Sequence, residues 1–479
     1  MHLKPRDASA HHRLGRALLR GILLALVLAL LPIAAGIGTA IYKVRQIVDD
    51  RPGALAAPLP PLPTPDPTKL TAVVLISNGR TEITDSLPPY ELLAASGAFN
   101  TYFVAPERRV SPIATAQYLP FGVGGLPSGL DILPHYGYAD YERVIGRDPD
   151  LIVVPYLTEF TPGSERPILD WIRAHAGPRT TILSICAGSR VLVETRLLDG
   201  HAATGLHQDL ARFRQSYPAV RWQAGVRWVD DGMIVTSGTL AAGIDATLHT
   251  IERMVGRAAA ERAGQALGYG HLNRLADPAT EYQPPAKPDL GLLPNAMYGW
   301  GQARIGVALH DGVSETALAA LLDTAALNLT HSYTLAPERT FVRSRHGMIM
   351  APRFSYADAP ALDRVIVLSD AGDAAAAAVA ESWDHLRGQP RADLLTSGAG
   401  ASFAYDAVIA DIARHVGGAV ARSDSANLVY PVDPAIVGGA DWTPTLIIPP
   451  LGISLLGLAL IVALARRRAR RPIAASLPA

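Results

Sequence analysis

Two uninterrupted apolar runs bracket this chain, and between them short apolar stretches alternate with amphipathic ones. The first run, "GILLALVLALLPIAAGIGTAIY" (residues 21–42), carries no charge. The second, "WTPTLIIPPLGISLLGLALIVALA" (442–465), is also uncharged, with Pro449 and Pro450 placed to mark the start of its helix. Each is long enough to cross roughly 30 Å of hydrocarbon as a helix, which satisfies its own backbone hydrogen bonds in lipid. A cleaved signal peptide is the other reading of the first run, but its apolar stretch is long and no Ala-x-Ala site ends it.

Between the runs, the proline-rich stretch "PLPPLPTPDPTK" (58–69) reads as a semi-rigid spacer. Beyond it the pattern predicts strands at "TAVVLISNG" (71–79), "NTYFVAPE" (100–107), "PDLIVVPYL" (149–157), "TTILSI" (180–185) and "MIVTSG" (233–238). Helical spacing follows in "DSLPPYELLAASG" (85–97), "ERPILDWIRAHAG" (165–177), "SRVLVETRLL" (189–198) and "GIDATLHTIERMVG" (243–256). Continuous apolar strands separated by helices imply a mostly parallel sheet covered on both faces.

After a polar break at about 276–294 the same order resumes. "ARIGVALHDG" (303–312) parallels "TAVVLISNG", and "SYTLAPERTF" repeats the Ala-Pro-Glu-Arg of "TYFVAPERRV". "FAYDAVIADIARHVGG" (403–418) matches the "GIDATLHTIERMVG" helix. An internal duplication is expected, with a degenerate second copy, because 371–402 holds no cysteine and no elbow-like sequence. The expected fold is α/β: a flavodoxin-like three-layer sandwich with a mostly parallel sheet, duplicated, and flanked by N- and C-terminal transmembrane helices. Its expected layout is a tail 1–20, span 21–42, linker 43–69, first α/β domain 70–275, linker 276–300, second domain 301–433, span 442–465 and basic tail 466–479.

Charge adds orientation. Lys+Arg and Asp+Glu are each 43 among 479 residues, so no basic domain points to nucleic acid. Lys4, Arg6, Arg13, Arg16 and Arg20 precede the first run, and Arg466, Arg467, Arg468, Arg470 and Arg471 follow the second. The positive-inside rule places both termini in the cytoplasm and the central region outside, in a multi-pass protein of the cell membrane. The lipid bilayer is thus an expected partner. One cysteine excludes an internal disulfide, and the 14 histidines show no paired ligand spacing, so no metal or other cofactor is implied.

That one cysteine stands in Ser184-Ile-Cys186-Ala-Gly188, between a predicted strand and a predicted helix. Small residues two before and two after are what a nucleophile elbow needs. The following helix N-terminus favours the thiolate, and its backbone N–H groups near Ala187 offer an oxyanion site. A buried, inert cysteine is the alternative. Asp85 lies on the same carboxyl edge of the sheet and is a candidate to carry the proton, or simply an N-cap. Glu82 reads as a solvated loop residue. His207 is a candidate base or a surface histidine, and His249 reads as packing or solvated. Ser237 and Thr239, before the last helix, are candidates to line the pocket, and Asp245 to brace that loop.

These residues give the chain its likeness. "ILSICAGSRVLVETRLLDGHAAT" and "VRWVDDGMIVTSGTLAAGIDATLHTIERMVG" resemble the cysteine elbow and closing Gly-Ile-Asp segment of the DJ-1/PfpI superfamily, the class I glutamine-amidotransferase-like domains. The nearest likeness is to the sensor-like domain of AraC-type regulators, without their helix-turn-helix part, and to isonitrile-hydratase-like proteins. The resemblance implies Cys186 as nucleophile, Asp85 as its acid, and Gly243 and Asp245 as the Gly-Ile-Asp loop. Ala187 stands where peptidase members carry His, and no His-x-Glu pair follows, so neither peptidase nor glutamine amidotransferase activity is implied. Leu206 stands near the place of a family histidine, with His207 one residue late. The expectation is a membrane-anchored, cysteine-dependent hydrolase or hydratase for a small electrophilic metabolite. The alternative is a non-enzymatic small-molecule or redox sensor. Either form would be free to self-associate through its α/β domains.

Overall fold

The computed structural model describes residues 8–49, 55, 57–115, 125–161, 163, 165–272, 275, 278–279, 292–299, 304–386, 388–398, 400–438 and 447–469. The outermost tails and the middle of the 276–300 linker lie outside the described residues.

Strands Leu70–Leu75, Phe99–Ala105, Leu151–Val154, Thr181–Ser184 and Ile234–Ser237 form the parallel body of a seven-stranded sheet. In chain order they stand 2-1-3-4-5 across it, with Tyr136–Gly137 and the antiparallel Trp228–Asp230 at the two edges. Alternation sorts the first strand into two cores. Ala72, Val74 and Ile76 pack with the helices Ile83–Ala95 and Leu240–Val255 on one face. Val73 and Leu75 pack with Arg166–His175 and Gly188–Thr195 on the other. A second, all-parallel sheet of five strands orders Phe354–Ser355, His331–Ala336, Arg304–Ala308, Arg364–Ser369 and Ala392–Thr396. Its four longer strands stand 2-1-3-4, one strand short of the first sheet.

A third, mixed sheet joins these two regions. Ile349–Ala351 runs antiparallel to Pro127–Leu133, pairing Met350 with Ile132 and Ala351 with Asp131. At Gly129 (φ 83°) a Cβ would fall on the Ser332 carbonyl oxygen, so this crossing needs glycine. Beside it, helix Ile83–Ala95 lies against helix Glu315–Leu327.

Among the described residues, two helices are long and apolar enough to cross a membrane: Leu18–Val48, mean hydropathy 2.5, and Ile448–Arg467, mean hydropathy 2.3. The first belongs to a 42-residue helix, Ala8–Asp49, longer than the 21–42 run alone. Its buried positions Pro32, Gly36, Ala40, Lys43 and Ile47 recur every three or four residues, forming one stripe. Helix Leu292–Tyr298, within the segment read from sequence as linker, packs on that stripe. The Tyr298 hydroxyl donates to the Pro32 carbonyl (2.6 Å), and Lys43 Nζ to those of Ala296 (3.2 Å) and Gly299 (2.9 Å). The two long helices also meet, with Ser454 Oγ donating to the Leu28 carbonyl (2.9 Å). Pro449 and Pro450 stand in the first turn of Ile448–Ala469, where a missing N–H costs nothing.

Candidate functional site around Cys186

Strand Thr181–Ser184 ends at Ile185, whose N–H donates to the Val154 carbonyl (3.1 Å), and the chain then turns sharply. Cys186 makes that turn with φ 54°, a left-handed conformation that costs a non-glycine residue about 1–2 kcal/mol. Its N–H donates to the Ser237 carbonyl (3.1 Å). Its carbonyl accepts from Leu206 N–H (3.3 Å) and Ser189 Oγ (3.0 Å). Three strand ends therefore hold the elbow, and Ala187 caps the helix Gly188–Thr195 that leaves it. Close packing enforces small residues here. A Cβ on Gly188 would fall on the Val154 carbonyl oxygen, and one on Gly243 would lie 2.7 Å from Ile185 Cγ2. Gly188→Ala is therefore expected to destabilise the protein by about 2 kcal/mol or more, read by urea unfolding in detergent. A change under about 0.5 kcal/mol would mean the elbow tolerates side chains it has no room for.

Asp85 sits in the first turn of helix Ile83–Ala95 and is wholly buried. It is not the cap: Glu82 is, accepting from the Asp85 N–H (2.6 Å) and from Thr84 Oγ1 (2.7 and 2.8 Å to its two oxygens). Glu82 is no solvated loop residue; none of it is exposed. Asp85 Oδ2 accepts from Tyr156 N–H (3.1 Å). Burial pushes the Asp85 carboxyl up to about 8, which favours its protonated form at neutral pH, and pushes Glu82 well above its ordinary value.

Cys186 departs from the thiolate expected of it. Burial pushes the thiol well above its ordinary value, and the neighbouring carboxyls of Asp85 and Glu82 push the same way. The Ala187 N–H and the Arg190 guanidinium pull down, less strongly. Desolvation outweighs the helix terminus because only 7% of the residue meets solvent. Arg190 is itself committed to Asp209 (Nε–Oδ2, 2.6 Å) and lies over the Tyr156 ring, 5.2 Å from its centroid.

The other sequence candidates fall around this centre. Ser237 gives its backbone to Cys186, and the hydroxyls of Ser237 and Ser184 are buried without a hydrogen-bond partner among the described residues. Thr239 caps helix Leu240–Val255 without a side-chain bond. His207 opens helix His207–Ser216, half-buried, and burial lowers its pKa. Asp245 pairs with Arg227 (3.3 Å) and accepts from the Tyr269 hydroxyl (2.6 Å), bracing the loop. His249 pairs with Asp230 (2.8 Å) on the sheet edge.

Sequence reading also missed an elbow in the second region. Strand Ala392–Thr396 ends at Ser397, whose N–H donates to the Ser369 carbonyl (2.9 Å), as Ile185 does to Val154. Gly398 follows with φ 95°, in the place Cys186 takes in the first. Between the regions lies a further cluster, Glu91, Glu315 and His346, whose ligand-type atoms come within 4.8 Å of one another. Their oxygens are taken up internally: Glu91 by Ser314, Thr316 and Arg345, and Glu315 by Ser344 and His346. It is an ion-pair and hydrogen-bond network.

No known family profile and no curated protein sequence matches the chain. Solved structures do. DJ-1beta of Drosophila melanogaster is similar over 42% of this chain and 97% of its own, at 17% identity and TM-score 0.34. A ThiJ/PfpI family protein of Pseudomonas syringae is similar over 46% and 79%, at 20% identity and TM-score 0.33. An AraC family transcriptional regulator of Pseudomonas putida is similar over 41% and 98%, at 12% identity and TM-score 0.32. At this level these are partial likenesses of backbone and carry nothing about activity.

Proposed function

We propose that this is a membrane-anchored protein of the DJ-1/PfpI type whose first α/β domain adds the Cys186 thiol to a small electrophile. The observation that carries this reading is a strained, buried elbow cysteine with the buried carboxyl of Asp85 among its neighbours. Strain at a non-glycine residue persists only where the surroundings impose it, and it concentrates at functional sites. The elbow and Gly-Ile-Asp motifs and the 2-1-3-4-5 strand order support a flavodoxin-like domain, and the shorter 2-1-3-4 sheet supports a degenerate second copy. The flanking arginines support an orientation with both termini in the cytoplasm and the α/β regions outside.

A neutral thiol needs somewhere to send its proton, and a neutral carboxyl can take and give one at once. As sulfur bonds to the electrophilic carbon, the π bond to its heteroatom breaks. The thiol proton passes to one Asp85 oxygen, and the proton on the other oxygen passes to that heteroatom. Asp85 ends protonated, and the Ala187 N–H faces the charge that develops. Water then releases the product and restores the thiol, in a hydrolase- or hydratase-type cycle. The partners this requires are a lipid bilayer and a small electrophile.

Burial of Cys186 favours a second reading, a sensor that binds a small molecule or is oxidised at sulfur without turnover. Full-length protein in detergent, offered aldehydes and nitriles, separates the two. The enzyme reading expects turnover that falls at least about 100-fold in Cys186→Ala with the fold intact. Product formation that survives Cys186→Ala, or its absence with every electrophile in the wild type, overturns it.

A further inference from the structure

The uncharged run 21–42 has a proline near its middle, Pro32, and helix Ala8–Asp49 continues through it. Proline has no N–H, so the Leu28 carbonyl, four residues earlier, loses the bond that position 32 would give it. At the centre of a bilayer no water replaces that bond, and a polar group from a neighbouring element must. Ser454 of helix Ile448–Ala469 is placed to do so, its Oγ donating to the Leu28 carbonyl (2.9 Å). The same hydroxyl lies 3.0 Å from the Pro450 carbonyl of its own helix. Nearby, Gly457 lets the two helices close up, since a Cβ there would lie 2.7 Å from Leu31 Cδ2. From another side, the Tyr298 hydroxyl donates to the Pro32 carbonyl itself (2.6 Å). Its ring takes the space a side chain on Gly36 would need, where a Cβ would lie 2.8 Å from the hydroxyl oxygen. Tyr298 does not belong to either span. Its helix, Leu292–Tyr298, is tied to the second α/β region, Asn295 Nδ2 donating to Asn328 Oδ1 (2.7 Å) and Asn328 Nδ2 to Asp424 Oδ2 (3.0 Å).

We propose that Pro32 is a joint in the first span, clamped by Ser454 from the second span and by Tyr298 from outside, so that the second α/β region and the paired spans move together. The inference rests on the membrane-spanning reading given above, and gives its sensor form a mechanical route into the bilayer. A proline inside a helix lets the two halves bend against each other, because a hydrogen bond across the bend is missing. Below the bend, the inner half of the first span holds the second span through Leu28 and Leu31. Above it, the outer half holds the second region. Lys43 Nζ donates to the carbonyls of Ala296 (3.2 Å) and Gly299 (2.9 Å), and Ala40 and Ile47 pack with Ala296 and Leu329. Tyr298 bridges the bend, anchored above it and bonded at Pro32. The pairing also requires the first span to stay on the chain, because its removal would leave Ser454 and Gly457 facing lipid.

The test uses full-length protein in phosphatidylcholine vesicles, with Cys186→Ala removing the native thiol. Nitroxides go on cysteines introduced in pairs at the exposed positions Ile22 and Leu460, or Ile22 and Leu394. Pulsed electron paramagnetic resonance reads each distance distribution. Ser454→Ala is expected to broaden the Ile22–Leu460 distribution and lengthen its centre by about 2 Å or more. In a Pro32→Ala background, where position 32 regains its N–H for the Leu28 carbonyl, Ser454→Ala is expected to change it far less. The contact with Pro450 is lost in both backgrounds and cancels from the comparison. Tyr298→Phe is expected to broaden the Ile22–Leu394 distribution and leave Ile22–Leu460 in place. The proposal is overturned by a Ser454→Ala effect that is absent, or equal with and without Pro32, or by an Ile22–Leu394 distribution unmoved in Tyr298→Phe. Failure of the membrane reading shows separately. Labels at Ile22 and Leu460 relaxed by a water-soluble nickel chelate and not by oxygen would overturn the spans themselves, whatever the distances.

Discussion

Replacing Arg353 by Met is expected to cost about 3–5 kcal/mol of stability, among the largest effects of any single side-chain change. Arg353 makes a two-pronged pair with Asp131, Nε to Oδ2 at 2.9 Å and Nη2 to Oδ1 at 3.0 Å. The two side chains are 2% and 1% exposed, so neither charge has water to fall back on. Asp131 lies on strand Pro127–Leu133 opposite Ala351, and Arg353 stands two residues beyond that pairing, so the ion pair locks the sheet joining the two α/β regions. Removing only the arginine strips a buried carboxylate of its two-pronged partner, which is what makes the change severe. Removing both partners, as Arg353→Met with Asp131→Leu, is expected to recover most of the loss, because the pair's attraction is largely spent on its own desolvation. Urea unfolding in detergent across the four proteins of this double-mutant cycle measures both quantities. Single variants within about 1 kcal/mol of the wild type would show that this junction contributes little.

That junction is also where the sequence is hardest to read. The parallel strands are legible because each is a continuous apolar run with a turn after it, as in "TAVVLISNG" and "PDLIVVPYL". The elbow is legible because Cys186 and Gly188 sit at fixed offsets after such a run. Pro127–Leu133 and Ile349–Ala351 are not, since two short segments more than 200 residues apart leave no local sign that they pair. Glu82 misleads for a related reason. A carboxylate just after Asn-Gly-Arg looks solvated, yet Glu82 is fully buried as the cap of its helix. The thiolate expected at Cys186 weighs the helix terminus without the burial that opposes it. Local signals carry the strands and the turn, while the electrostatics of the site depend on what is folded against it.

Asp85→Asn is expected to make the protein more stable at neutral and mildly alkaline pH, and to change the pH dependence of that stability. The folded-state pKa of Asp85 is pushed up to about 8, chiefly by burial, against about 3.9 for an unfolded aspartate. Between these values the folded protein binds a proton that the unfolded chain has released. Stability from this group is therefore complete below about pH 4, falls as pH rises toward 8, and is flat above. The slope is at most about 1.4 kcal/mol per pH unit, so the wild type loses several kcal/mol over the window from this residue alone. Asparagine cannot ionise, yet its carbonyl can still accept from Tyr156 N–H, so the variant keeps the contact and loses the penalty. Part of the slope persists, because Glu82 is raised by the same burial and titrates in the same direction. Urea unfolding of both proteins from pH 4.5 to 8.5 should give curves that diverge with rising pH, the variant above the wild type. Parallel curves would mean that Asp85 is ionised in the folded protein, and the double proton exchange proposed at Cys186 would lose its donor. A variant that is more stable but no longer forms product is the signature of a group kept for chemistry at the expense of the fold.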